Sequence, residues 1–139
     1  LREKAFADDL FKTAVISSES GHKAQLKNLT DHNILTYWQS GDTQTAGLVF
    51  DFKQPVTLNC VVLEEMITYG QRVKRFSIEQ WDGKQYLPVF AGTTIGRKKI
   101  AVFPDITTKR IRVKILDSKA GPLLRSAAAY RIPLAGVKF

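Results

Sequence analysis

The feature that most constrains the fold is a strict alternation of apolar and charged residues over residues 109–115. A period of two places successive side chains on opposite faces of a β-strand. The three apolar residues are therefore predicted to face a core, and the three cations between them to face water. These are Ile111, Val113 and Ile115 on the inside, and Arg110, Arg112 and Lys114 on the outside.

Similar short apolar segments recur along the chain, separated by turn signals such as Asp82-Gly83 and by Pro55 and Pro104, each of which is predicted to bound a strand. The predicted strands are residues 14–16, 48–52, 56–63, 76–81, 85–91, 100–103, 110–116 and 127–132. About eight strands and one helical segment predict an all-β fold, an antiparallel two-sheet β-sandwich.

Residues 1–12 have a rough helical spacing of apolar residues. They are interpreted as a short N-terminal lead-in helix or linker from an upstream domain, or alternatively as a frayed terminus. The β-sandwich module is then expected to span residues 13–139. Because the chain begins at Leu1 and no secretory leader is recognisable, we expect it to be a piece of a longer protein.

The charge distribution is uneven. The formal net charge is +8, and residues 72–139 alone carry 15 basic and 4 acidic residues, a charge of +11. Such a surplus is typical of an anion-binding surface, but solvated outer faces of strands explain it as well. Nucleic-acid binding is not expected, since the cations lack interleaved aromatic residues. No apolar run approaches the ~20 residues that span a bilayer.

Catalytic signatures are absent from the sequence. The single cysteine, Cys60, lies within a strand pattern and is predicted to be buried and inert. Glu64 and Glu65 are adjacent, so a strand would point them to opposite faces rather than form a carboxylate pair. The chain itself is therefore not expected to be an enzyme.

Residues 28–38 form a polar segment that ends in aromatic residues. Asp31, Asn33 and Thr36 have the oxygen ligands to wrap a hard cation such as calcium. Alternatively, the side chains of Asp31 and Asn33 satisfy local amides in a turn. Trp38 is predicted to bury its ring against the sandwich.

Taken in order, these motifs resemble coagulation-factor type C (discoidin) domains over about residues 13–132, which implies a jelly-roll, galactose-binding-domain-like sandwich. The matching segments are residues 31–38, 48–56, 70–79, 81–86 and 108–113. Residues 69–76, 81–83 and 92–98 further resemble the C-terminal module of glycoside hydrolase family 29 α-L-fucosidases, which is similar to carbohydrate-binding module family 32. In those enzymes the catalytic carboxylates lie upstream, so none is carried over to this chain.

The resemblance implies a glycan site in loops at one end of the sandwich. Its candidate residues are Tyr69, Gln71, Arg72, His22, Asp42 and Arg97. Alternatively, Gln71 and Arg72 cap their loop or contact the catalytic domain. The resemblance also implies a structural calcium held by the backbone carbonyl of Asn28 and by Asp31, Asn33 and Thr36. However, Ser126 stands where the family usually has a further carboxylate. No other cofactor is expected.

The resulting expectation is a non-catalytic, carbohydrate-binding-like accessory module of an α-L-fucosidase-like enzyme that is secreted, periplasmic or lysosomal. It would bind a galactose- or fucose-containing glycan weakly, or dock on the catalytic domain of the same chain. The alternative is a purely structural module, or one that binds a protein or an anionic surface and has no sugar site. A membrane partner is not expected, because the loops are mostly polar.

Overall fold

The computed structural model describes residues 9–18, 26, 28–30, 37–39, 46–66, 72–119 and 122–133. Within them the chain forms a short 3₁₀ helix, Leu10–Thr13, and seven strands. The strands are β1 Val15–Ser18, β2 Trp38–Gln39, β3 Ala46–Glu65, β4 Val73–Trp81, β5 Tyr86–Gly92, β6 Lys99–Ser118 and β7 Leu123–Tyr130. All pairings are antiparallel, in the order β2-β7-β3-β6-β4-β5 with β1 on β3. The predicted all-β antiparallel class is confirmed.

The two longest strands, β3 and β6, fold back on themselves as a pair. Each has 20 residues, and a straight strand of that length would span about 65 Å. Yet Ala46, at the start of β3, pairs with Ile115 near the end of β6, and Ser118 pairs with Val73. The Val73 N–H in turn donates to the side chain of Glu65, at the end of β3. Both ends of β3 therefore lie at one end of the molecule, and the folded ribbon encloses a core as a sandwich does.

Two predicted strand boundaries are wrong. Pro55 and Pro104 lie inside β3 and β6. Each falls where the β3–β6 pairing shifts register, and an irregular pairing tolerates a residue that has no N–H to donate. The eight predicted segments consequently merge into six strands, and β2, which the sequence did not predict, is the seventh in the described part of the chain. Hydrogen bonds join these strands continuously, so a separate second sheet and a count of eight remain predictions.

The core confirms the alternation read from the sequence. Ile111, Val113 and Ile115 are buried, as are Trp38 and Cys60. The largest fully buried side chains also include Phe11, Phe50, Phe76, Phe103, Leu29, Leu48, Leu58, Leu63 and Ile78.

Phe11 comes from the segment that the sequence assigns to the lead-in. Its ring stacks on Phe50 with the centroids 3.8 Å apart. Asp9, beside it, accepts hydrogen bonds from the backbone N–H groups of Phe11 and of Ala129 in β7. Residues 1–8 of the predicted helix lie outside the described residues, and the boundary between residues 12 and 13 remains a prediction.

The predicted hairpin between β4 and β5 is confirmed. Asp82 accepts hydrogen bonds from the N–H groups of Lys84 and Gln85, each at 2.8 Å, and these bonds lower the pKa of its carboxyl group. Gly83 follows with φ of 101°, a conformation that side chains disfavour. The hairpin lies at the end of the molecule opposite the start of β4.

Candidate functional site

Four strands begin or end together at one end of the molecule, which we call the loop end. Three backbone hydrogen bonds connect the segments there. The Glu65 N–H donates to the carbonyl of Gly96 at 2.9 Å, Met66 to Leu123 at 3.0 Å and Lys119 to Arg72 at 2.8 Å. The end of β3, the start of β4, the turn before β6, the end of β6 and the start of β7 are therefore neighbours.

The carboxylate of Glu65 is the structural centre of the loop end. Glu65 is only 2% exposed. One of its oxygens accepts hydrogen bonds from the N–H groups of Arg72 and Val73, at 3.0 and 2.9 Å, and the other accepts one from Gly96 at 2.7 Å. A buried charge is costly unless it is hydrogen-bonded in this way. One carboxylate thus joins the start of β4 to the turn that precedes β6.

The sequence reasoning did not identify this role of Glu65. Neighbouring Glu64 has a different partner, since its carboxylate pairs with Arg125, as expected for side chains that do not act together. No local signal marks Glu65, because residues 58–63 are all buried and show no alternation; only in the structure is Glu65 seen to be in phase with Val61 and Leu63 of the main core. An acid in phase with a core-facing series needs buried donors, and these come from segments distant in sequence.

Of the candidate glycan residues, Arg72 and Arg97 are described, and the Glu65 carboxylate brings their segments together. Arg72 is half-buried and donates its backbone N–H to Glu65, whereas Arg97 is exposed and follows Gly96, another of the three donors. His22, Asp42, Tyr69 and Gln71 lie outside the described residues.

The described residues that flank those four candidates lie at or near the loop end. Met66 and Arg72 flank residues 67–71 there. Gln39, which pairs with Leu123, and Ala46 flank the segment that contains Asp42. Ser18 precedes the segment that contains His22 and pairs with Leu48, two residues beyond Ala46.

Of the candidate calcium ligands, only Asn28 is described. Its side-chain amide donates to the carbonyl of Tyr37 at 2.8 Å, which connects the two described ends of residues 28–37. Asp31, Asn33 and Thr36 lie outside the described residues. Among the residues that the structure describes, no group of three or more His, Cys, Asp or Glu side chains is arranged to hold a metal ion.

Arginines on the sheet faces are paired with acids. Arg110 contacts Asp51 at 2.6 Å, Arg112 contacts Glu79 at 2.5 Å and Arg131 contacts Asp105 at 2.9 Å. The guanidinium groups of Arg110 and Arg112 also lie over aromatic rings, those of Trp81 and Tyr86 respectively. The outward-facing arginines of β6 are thus neutralised and packed rather than simply solvated.

Two further features of the described residues offer no reactive group. Burial raises the pKa of the Cys60 thiol to about 11, so the nucleophilic thiolate is suppressed at neutral pH. A cavity of about 340 Å³ is lined by Asn59, Asp105, Arg131, Ile132 and Pro133. Its polar side chains are occupied, since Asn59 bonds both the N–H and the carbonyl of Ile132, and Asp105 pairs with Arg131.

No helix in the described part is long and apolar enough to cross a membrane.

The chain is similar to proteins named as fucosidases. Alpha-L-fucosidase 1 of Arabidopsis thaliana is 24% identical over 145 residues, which is 98% of this chain but 29% of that protein. A GH29 fucosidase of Ruminococcus gnavus, solved in complex with fucose, superposes with a TM-score of 0.85 at 21% identity, covering 95% of this chain and 28% of the other. The chain therefore spans less than a third of either protein.

The fold is also similar to that of carbohydrate-binding modules. The CBM32 domains of Clostridium perfringens ZmpB, solved in complex with GalNAc, have a TM-score of 0.74 at 22% identity, covering 87% of this chain and 34% of the other. The model of the F5/8 type C domain matches residues 13–127. Because that match covers most of the sequence, the chain belongs to the F5/8 type C (discoidin) domain family.

Proposed function

We propose that this chain is a non-catalytic, carbohydrate-binding-like accessory module of an α-L-fucosidase-like glycoside hydrolase. It binds a glycan weakly through the loop end or docks there on the catalytic domain. The observation that carries the proposal is the Glu65 carboxylate, which holds the segments of Arg72 and Arg97 against each other. The similarity to proteins named as fucosidases and to a CBM32 module solved with GalNAc supports it.

The non-catalytic role is supported by the partners of six of the eight described acids. Glycoside hydrolysis generally requires two carboxyl groups that flank a scissile bond. Glu65 is committed to three backbone N–H groups and Asp82 to its hairpin. Four further acids each pair with an arginine, namely Asp51, Glu64, Glu79 and Asp105.

Calcium is part of the same proposal. Asn28, Asp31, Asn33 and Thr36 would hold the ion through oxygen atoms, and the ion would stabilise the segment before β2 rather than take part in chemistry. The bond from Asn28 to Tyr37 supports this arrangement, because it closes the segment from both described ends.

The test is an NMR titration of the ¹⁵N-labelled chain with galactose, fucose and N-acetylgalactosamine at millimolar concentrations, with and without calcium. We expect shifts of the amides of Arg72, Val73, Gly96 and Arg97, and calcium-dependent shifts in residues 28–36. The hairpin amides of Lys84 and Gln85, at the opposite end, serve as the internal control.

Absence of shifts with every sugar would remove glycan binding and leave docking on a catalytic domain as the function. An aryl fucoside assay of the same chain is expected to show no turnover. Measurable turnover would contradict the non-catalytic role.

A further inference from the structure

Among the described residues, four cations lie in the segments between strands at the loop end, and three of them are exposed. Arg97, Lys98 and Lys119 are exposed and Arg72 is half-buried. The ion pairs among the described residues lie on the sheet faces and do not include these three exposed side chains. Part of the basic surplus of the C-terminal half therefore lies at the candidate glycan site, and part lies elsewhere, for example at Lys84 and Lys109.

Backbone contacts place three of the four cations around one anchor, and Lys98 follows Arg97 in the chain. Arg72 and Gly96, the neighbour of Arg97, donate to opposite oxygens of the Glu65 carboxylate. The Lys119 N–H donates to the Arg72 carbonyl at 2.8 Å. The backbones that carry these side chains are therefore neighbours.

The segments that carry these cations contain no acid, although Asp117 precedes Lys119 by two residues and Asp42 belongs to another segment whose described flanks lie at the loop end. Residues 67–72, 93–98 and 119–122 contain no acidic residue. Glu65 is buried, and its oxygens are already occupied by three backbone N–H groups. Like charges held close together repel one another, so a ligand that brings a negative charge gains more at this site than a neutral one.

We propose that the loop end binds an acidic glycan, one whose sugar carries a carboxylate or a sulfate group. This inference rests on the proposed glycan-binding function and names its ligand class. Arginine presents a planar fork of donors that matches a carboxylate or sulfate in a bidentate manner, and lysine adds a compact charge. Arg72 and Arg97 recognise the anionic group, while Lys98 and Lys119 supply the surrounding positive field.

The test compares D-galacturonate with D-galactose, which differ only in the carboxylate at C6. Binding to the 139-residue chain is measured by NMR or calorimetry at pH 7 and low salt. We expect galacturonate to bind at least about tenfold more tightly, the effect of one charge-assisted hydrogen bond. The preference should shrink when sodium chloride rises from about 20 to about 200 mM, because salt screens exposed charges.

Charge-removing variants locate the effect. Arg97→Gln and Lys98→Gln are expected to reduce the preference for galacturonate over galactose by several-fold each. Lys84→Gln makes the same change of charge in the hairpin at the opposite end and should leave the preference unchanged. An equal reduction by Lys84→Gln would show that only the net charge matters and would overturn the assignment to the loop end.

The remaining outcomes separate the two proposals. Equal affinity for the two sugars would overturn the acidic-glycan inference and leave glycan binding intact, whereas binding of neither would overturn both. If sodium acetate competes as well as galacturonate, the site takes simple anions and the inference fails. Salt-sensitive binding to phosphatidylserine vesicles, without a preference for galacturonate, would assign the cations to a lipid surface instead.

Discussion

At the scale of single residues, Glu65 shows how a buried charge can organise a surface. Its carboxylate lies under the loop end and satisfies three N–H groups from two segments. Glu64, the adjacent acid, is partly exposed and paired with Arg125. The two residues therefore offer a matched comparison between a carboxylate that joins segments and one that forms a surface ion pair.

Replacing Glu65 by Gln is expected to lower the free energy of unfolding by about 2 kcal/mol. The glutamine side chain puts an NH₂ donor where one carboxylate oxygen lay, which leaves a buried backbone N–H without an acceptor. Glu64→Gln, the control, should cost at most about 1 kcal/mol, as is usual for a surface ion pair. Urea denaturation followed by Trp fluorescence measures both. Equal losses in the two variants would mean that the buried carboxylate does not organise the loop end.

Single residues also mark the limit of the sequence prediction. The burial of Ile111, Val113 and Trp38 follows from local patterns, and each is buried in the structure. The role of Glu65 depends instead on amides 7, 8 and 31 residues away, and no local pattern encodes such distances. The glycan residues rest on resemblance, and the calcium residues on oxygen chemistry together with resemblance; most of both sets lie outside the described residues.

At the scale of elements, alternation predicts where strands run better than where they end. The prolines that suggested boundaries lie in register shifts of the continuous strands β3 and β6. A proline is compatible with a strand wherever its missing N–H faces an irregularity, and the partner strand decides that. β2 has only two residues, too few for any periodicity to reveal.

The end of β5 provides a test of packing within an element. Gly92 pairs with Phe76 across β4 and β5. A Cβ atom on Gly92 would lie 2.5 Å from Cε1 of Phe76, whose ring is fully buried and cannot easily move. Gly92→Ala is therefore expected to destabilise the fold by about 1–3 kcal/mol, as overpacked core substitutions do.

The control for this prediction is Ala91→Ser, a change at the exposed neighbouring position that should stay within about 0.5 kcal/mol of the parent. The midpoint of urea unfolding gives both values. A Gly92→Ala variant as stable as the Ala91→Ser control would show that the ring of Phe76 moves aside without cost.

At the scale of the whole molecule, the charge asymmetry separates into two populations. Arginines on the sheet faces meet acids from other strands, so part of the surplus in the C-terminal half is cancelled by the N-terminal half through Arg110–Asp51 and Arg125–Glu64. Arg97, Lys98 and Lys119, exposed at the loop end, are not among the cations that pair with acids within the described part of the chain. Composition reveals the surplus, but only the strand order shows where it is neutralised.

The extent of the module is also a property of the whole molecule. Phe11 lies in the predicted lead-in segment, yet its side chain is fully buried and stacks on Phe50 of β3. Phe11→Ala is expected to lower the free energy of unfolding by about 3–5 kcal/mol, the usual cost of emptying a buried aromatic site. Lys12→Ala, an exposed change in the same 3₁₀ helix, should alter it by no more than about 0.5 kcal/mol.

Urea denaturation of both variants, and of a chain that starts at Thr13, measures the effect. If the shortened chain is as stable as the whole, the module begins at residue 13 as predicted; if it loses as much stability as Phe11→Ala, the module begins before Phe11.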